Sequence, residues 1–296
     1  MLFQKTGDSM NLELIDIMLI IAVGILIIAG IVFGMVFRAR RHRKLMERAI
    51  PVEWDAIMRE NIVLYNMLPD NLRDELKGRI NIFLDEKEFE GCGGLEITDT
   101  VKVVIAAQAC ILLLNKNFDY YPKLNSVLVY PSAYVTSGAS RLGNAVIHDE
   151  ESARLGESWQ HGNLVLAWDR VKFDAATFGK GHNVALHEFA HQLDQANGAA
   201  DGIPFLGGGS EKYQHWIKVM QETFEELREE VKIGHHDIID EYGATNPAEF
   251  FAVATETFFS CPHILKKAHP ELYGEFRDFY KLNPAKWTAP KRHCQK

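Results

Sequence analysis

Twenty-one consecutive residues near the start of the chain, Ile17 to Phe37 ("IMLIIAVGILIIAGIVFGMVF"), carry no charge and no strongly polar side chain. As a helix this run is about 31 Å long, enough to cross the hydrocarbon core of a bilayer. Five bases follow at once (Arg38, Arg40, Arg41, Arg43 and Lys44), whereas the preceding flank holds only Lys5, beside Asp8, Glu13 and Asp16. That asymmetry places the C-terminal side in the cytoplasm. A cleaved signal peptide would carry its bases before a shorter run and a small-residue cleavage site after it, and neither pattern is present. The expected layout is a short extracytoplasmic N-terminus over 1–16, a transmembrane helix over 17–37, a basic juxtamembrane segment over 38–50, and one globular domain over 51–290. The chain is then single-pass in the cell inner membrane, with that domain facing the cytoplasm.

Charge narrows what the domain can do. Residues 48–296 hold 26 Lys and Arg against 36 Asp and Glu, within a whole-chain charge of −8. So acidic a surface lacks the basic footprint that nucleic acid requires. The four cysteines, Cys92, Cys110, Cys261 and Cys294, are scattered and form no CxxC pair. This fits free thiols in a reducing compartment rather than a disulfide framework or a cysteine-rich metal site.

Hydrophobic periodicity predicts amphipathic helices over 51–80, broken at "LPDN" with Asp70 or Asn71 as cap, and a buried helix after Thr98 or Asp99. The runs "SVLVYPSAYV" (126–135) and "GNLVLAWDRV" (162–171) read as β-rich. Further helices are expected within 184–198 around the two histidines, near 211–232 and from Pro247 through Ser260. The fold class is α+β, mainly helical with a small mixed sheet.

The chemistry concentrates in "VALHEFAHQLDQANG", residues 184–198. On a helix His187 and His191 project from one face, one turn apart, where two imidazoles can share a tetrahedral zinc ion. Glu188 then lies beside the metal without binding it, as a general base requires. A core helix with two incidental histidines is the competing explanation. Asn197 stands where a third ligating histidine would extend the motif, which excludes the metzincin pattern. A carboxylate from "EYGATNPAEFFAVATETFF" (241–259) is the other solution, and it offers Glu249 and Glu256. Asn246 reads as an N-cap with Pro247 in the first helical position, so Glu249 also fits a capping box. Glu256 lies two turns on, where a solvated acid would serve equally well. Spacing leaves both open. Asp194 is a candidate acceptor for a ligand's free N–H, or another solvated acid.

Over residues 60–290 the chain resembles the MtfA-like (Mlc titration factor A) zinc peptidases, whose metal site is related to that of anthrax lethal factor. The resemblance rests on "HNVALHEFAHQLDQANG", "AAQACILLL", "YYPKLNSVLVYPSAYV" and "YGATNPAEFFAVATETFF". It implies a zincin-like peptidase domain with Zn2+ held by His187, His191 and Glu249, a gluzincin-type ligand set. It also implies Glu188 as catalytic base and Tyr242 as a stabiliser of the transition-state oxyanion. The N-terminal apolar run lies outside the family's usual domain.

Two functions follow as expectations. One is a membrane-anchored zinc metallopeptidase acting on peptide or protein substrates, with aminopeptidase-like action among the options. The other is a zinc-stabilised interaction protein that sequesters a cytoplasmic regulatory partner, such as a transcriptional repressor, at the membrane. Glu188 favours the first, because a purely structural zinc site closes with a fourth protein ligand and has no use for a base. His182, His235 and His236 stand near the site in sequence and read as turn or helix-start residues; His161 has only its position.

Overall fold

The computed structural model describes residues 4–116, 120–132, 140–142, 145–147, 162–177 and 179–287, with 4–17 and 140–147 described by backbone alone. Cys294, His161 and residues 133–135 of the first β-rich run lie outside the described residues. The chain divides into two compact units, Met1–Arg48 and Ala49–Lys296.

The first unit is one helix, α1 (Gln4–Glu47), of 44 residues. The apolar run is its middle, because the basic residues that follow are good helix formers and no Gly-Pro break intervenes. The stretch Met18–Glu47 contains an 18-residue window of mean hydropathy 3.0, none of it buried. Leu26 and Phe33 are 71% and 73% exposed. A helix apolar on every side, with its apolar window exposed among the described residues, suits an apolar solvent, which points to membrane association.

The second unit opens with three helices, α2 (Val52–Asn61), α3 (Val63–Met67) and α4 (Asp70–Glu86). The break falls at Leu68–Pro69 because proline disfavours helix in the residue before it. Asp70 therefore occupies the first turn of α4 rather than capping it, and Pro69 holds the cap position without a side-chain bond. Thr98 caps α5 (Asp99–Ile111), its hydroxyl accepting from Val101 N at 3.4 Å. From Val103 to Ile111 every residue of α5 is buried, which makes it the central scaffold of the domain.

Three parallel strands, β1 (Glu88–Gly91), β2 (Ser126–Tyr130) and β5 (Asn163–Ala167), form a sheet in the order β1-β2-β5. The sheet is thus parallel rather than mixed; a separate antiparallel pair joins β3 (Ser140–Leu142) to β4 (Ala145–Ile147). In β2 and β5 the alternation buries Val127, Val129, Leu164 and Leu166 on one face. The second β-rich run ends early. At Trp168 the chain turns into α6 (Trp168–Ala176), where Val171, Asp174 and Ala175 recur at helical spacing and point inward.

The remaining helices are α7 (Val184–Asp194), α8 (Ser210–Lys232), α9 (Pro247–Ser260), α10 (Pro262–Ala268) and α11 (Pro270–Tyr280). Helix α9 is buried along nearly its whole length and packs on α7. Its outer flank meets an aromatic cluster in which Phe276 lies 5.6 Å from Trp216, 5.7 Å from Phe251 and 5.8 Å from Phe258, ring centre to ring centre. Burying each such ring stabilises the fold by about 1.5–3 kcal/mol, and the ring pairing adds to that. This cluster anchors α9, and α9 carries the acidic half of the site.

Candidate metal centre

Helix α7 starts where it does because four buried groups converge on its first turn. The Asn183 side chain accepts from Leu186 N at 2.9 Å, the usual N-cap bond, worth about 1 kcal/mol. Asp174 Oδ2 accepts from Val184 N at 3.1 Å. Asn183 Nδ2 donates to Gln108 Oε1 of α5 at 2.8 Å, and Asn183 N donates to Glu256 Oε2 of α9. The helix ends in a 3-10 turn, Gln195–Asn197, closed by Gly198 at φ 112°.

Helix α9 is positioned at its own start. Asn246 Oδ1 accepts from Glu249 N at 3.0 Å and Pro247 takes the first position, as the spacing predicts. The Glu249 side chain is drawn to the histidines. Gly202, at φ +77°, presses against this start; a Cβ there would meet Pro247 O at 2.5 Å. Trp216 Nε1 donates to Gly202 O, and Gly202 N donates to Asp194 Oδ2 at 2.9 Å, so the end of α7 and the start of α9 are tied through one turn.

These two helices bring three donor atoms together. His187 Nε2 lies 3.1 Å from Glu249 Oε2, His191 Nε2 lies 3.3 Å from the same oxygen, and the two Nε2 atoms are 3.2 Å apart. Ligand atoms arranged tetrahedrally at about 2.0–2.1 Å from one metal ion stand about 3.3–3.4 Å apart, so the triangle has the size of one coordination face. Two imidazole nitrogens and a carboxylate oxygen, mostly buried, are also a chemically suitable donor set. Among the described residues, this is the group of His, Cys, Asp and Glu side chains compact enough to hold a metal ion.

The electrostatics follow from crowding three carboxyl groups around two imidazoles. Burial works to raise the Glu249 carboxyl, yet the hydrogen bonds and charges of His187 and His191 outweigh it and hold the group at about 2. Burial disfavours a charged His187, but Glu249 and Glu256 outweigh that and raise it well above its ordinary value. Glu188 is only 5% exposed, and burial raises its carboxyl against the opposing pull of both histidines.

Of the remaining sequence candidates, Tyr242 sits on a 3-10 turn, Glu241–Ala244, capped by Asp240, with its ring centre 6.1 Å from that of His187. Glu256 is neither solvated nor grouped with the three converging atoms. It is 1% exposed and meets His187 from the other edge of the ring, Oε1 to Nδ1 at 2.7 Å. Asp194 is likewise no solvated acid: it is fully buried, and burial pushes its carboxyl up to about 6. His182 lies at the start of α7, 3.5 Å from Asp240, and His235 and His236 are exposed.

The sequence reading missed His269. With Asp237 it forms a mostly buried ion pair at 3.0 Å, which ties the loop leading to Tyr242 against the start of α11. The pairing raises His269 above its ordinary 6.5, while burial of Asp237 is outweighed by the His269 bond and charge together with backbone N–H bonds from Ile239 and Ile238, which lower it below its ordinary 3.8. The pair therefore stabilises the fold fully between those two ordinary values. The contribution is lost as pH rises through the elevated His269 value, and again as pH falls through the depressed Asp237 value. Urea denaturation should show the native chain losing about 0.5–1 kcal/mol relative to a His269→Ala variant between pH values of about 6 and about 9. Parallel pH profiles for the two proteins would contradict this.

Comparison with known proteins identifies the family. The family described as Glucose-regulated metallo-peptidase M90 matches residues 36–281. An uncharacterised protein of Synechocystis sp. is 40% identical over 245 residues, covering 82% of this chain and 89% of its own. Mlc titration factor A of Cronobacter sakazakii is 30% identical over 239 residues, covering 79% and 87%. Its counterpart in Escherichia coli O127:H6 is 30% identical over 229 residues, covering 76% and 84%. Such a family implies a divalent metal, and the His187–His191–Glu249 cluster suits one. By family match, by relatives aligned over most of their length, and by its His/His/Glu cluster, the chain belongs to the MtfA-like, M90 metallo-peptidase family.

Proposed function

We propose that this chain is a membrane-anchored, zinc-dependent peptidase with a zincin-like site of the gluzincin type. The observation that carries the reading is the convergence of His187, His191 and Glu249 within one coordination face, with a buried Glu188 on the same helix. His187 Nε2, His191 Nε2 and Glu249 Oε2 would hold the ion. Zinc, when bound there, supplies a Lewis acid that brings the pKa of water towards about 7.

The chain's own residues do the rest. The Glu188 carboxylate takes a proton from the attacking water and passes it to the leaving amine, a role suited to a carboxyl raised by burial. The Tyr242 hydroxyl donates to the developing oxyanion, and its place on the capped turn beside His187 supports this. Strand β5 is an edge of its sheet among the described strands, so an extended peptide can pair along it. The test is hydrolysis of a mixed peptide pool by the full-length chain in detergent. Cleavage that stops on chelation and returns with zinc supports the reading; cleavage indifferent to chelation contradicts it.

The name of the relatives, Mlc titration factor, favours a second role: capture of a cytoplasmic regulatory protein. This second role needs the domain in the cytoplasm, which the five bases after Phe37 support. A C-terminal reporter that matures only in the cytoplasm should therefore be active. An active periplasmic reporter at the same point would reverse the orientation.

A further inference from the structure

Glu256 is the charge that the proposed reaction does not use. It sits in the middle of "AVATETFF", flanked by buried residues on every side, at 1% exposure. A lone carboxylate in such a place is costly unless each oxygen finds a donor. Both do. Oε1 lies 2.7 Å from His187 Nδ1, and Oε2 accepts from Asn183 N. Asn183 is itself held by Gln108, whose side chain also donates to Val104 O at 3.2 Å within α5. A buried hydrogen-bonded chain thus runs from the scaffold helix α5 through the start of α7 and Glu256 within α9 to the far edge of the His187 ring.

We infer that Glu256 is a positioning residue of the metal centre. It keeps the His187 proton on Nδ1 and fixes the ring so that the Nε2 lone pair faces His191 and Glu249. The inference rests on the reading of His187 as a metal ligand. An imidazole has two nitrogens and one proton when neutral, and the hydrogen bond made by one decides what the other can do. An acceptor at Nδ1 leaves Nε2 free to bind; without it, a proton on Nε2 competes with the metal and the ring can rotate. Metal-ligating histidines depend on such acceptors, whose loss weakens metal binding by about 10–100-fold. Oxygen geometry also separates the two glutamates that the sequence left open. Glu249 meets Nε2 of His187 and Glu256 meets Nδ1, so they serve opposite edges of one ring.

A purely structural role is the rival account, since Glu256 also secures the first residue of α7. Thr255 provides the control. It is the neighbouring residue of α9, fully buried, and its hydroxyl pairs with Tyr280 at 2.9 Å rather than with His187. The experiment measures zinc affinity by chelator competition on the full-length chain in detergent, for the native protein, Glu256→Gln, Thr255→Val and His187→Ala. Both Glu256→Gln and Thr255→Val should lower the unfolding temperature. Only Glu256→Gln should weaken zinc, by about 10–100-fold, with Thr255→Val within about twofold of native.

Native affinity in Glu256→Gln, or equal losses in both variants, would overturn the positioning role while leaving the metal site standing. A native chain that takes up no more zinc than His187→Ala would overturn the metal site, and the positioning role with it. If Glu256→Gln does not fold, proton NMR of the zinc-loaded native chain decides. A downfield Nδ1–H of His187, shifted as a bond to carboxylate requires, is expected, and an unshifted one overturns the inference.

Discussion

Replacing Glu188 with glutamine should lower peptide hydrolysis by roughly a hundredfold to ten-thousandfold and leave the metal in place. The size follows from the loss of proton transfer in both halves of the reaction, with water attack and amine departure each left to solvent. The retention follows from position. Glu188 is one residue past His187 on α7, and the converging donor atoms belong to His187, His191 and Glu249. Glutamine matches glutamate in shape, so the buried pocket that encloses Glu188 need not rearrange. Burial raises its carboxyl, which suits the proposed role of base. The check is to measure turnover and metal content on one preparation. Metal lost together with turnover would make Glu188 a ligand and overturn its assignment as base.

Replacing His191 with alanine should remove the metal and take hydrolysis to background. Zinc binding of about 10–16 kcal/mol shared among four ligands leaves a loss of two or more orders of magnitude in affinity for each protein ligand deleted. The imidazole is 4% exposed and held on helix α7. Two consequences should separate in the data. Metal affinity should collapse, whereas the fold should survive, because the aromatic cluster that anchors α9 is built from Trp216, Phe251, Phe258 and Phe276 and does not involve His191. Near-native circular dichroism with no bound metal is the expected pair of observations. Full metal occupancy in the variant would remove His191 from the ligand set.

The half of the site on α7 was legible in the sequence because the information is local. Two histidines one turn apart and an asparagine before the first apolar residue determine a helix start and a shared face without reference to the rest of the fold. Glu249 was legible only as a choice. Its place three residues after Asn246 suits a capping box as well as a ligand, and what decides is where α9 lies against α7, a tertiary fact. Glu256 carried a signal, an acid isolated in an apolar run, yet the run does not say whether that position faces solvent, a lysine or a histidine. The Asp237–His269 pair spans 32 residues and two elements, and no spacing rule reaches that far.

Parts of the fold escaped for similar reasons. Strand β1 has only four residues, mostly exposed, so it shows no alternation to read. The boundary between β5 and α6 falls inside one apolar-rich run, where strand and helix patterns overlap. Helices α10 and α11 are short, but each opens with a proline in its first turn, Pro262 and Pro270, a start signal that was available.

The central claim is that one divalent ion is held by His187, His191 and Glu249. Anomalous diffraction from a crystal of the full-length protein, collected on either side of the zinc absorption edge, tests it most directly. The account predicts a single strong anomalous peak per chain, bonded to His187 Nε2, His191 Nε2 and Glu249 Oε2, with Glu256 remaining on Nδ1 of His187. No peak in zinc-supplemented crystals, or one held by other residues, would contradict it.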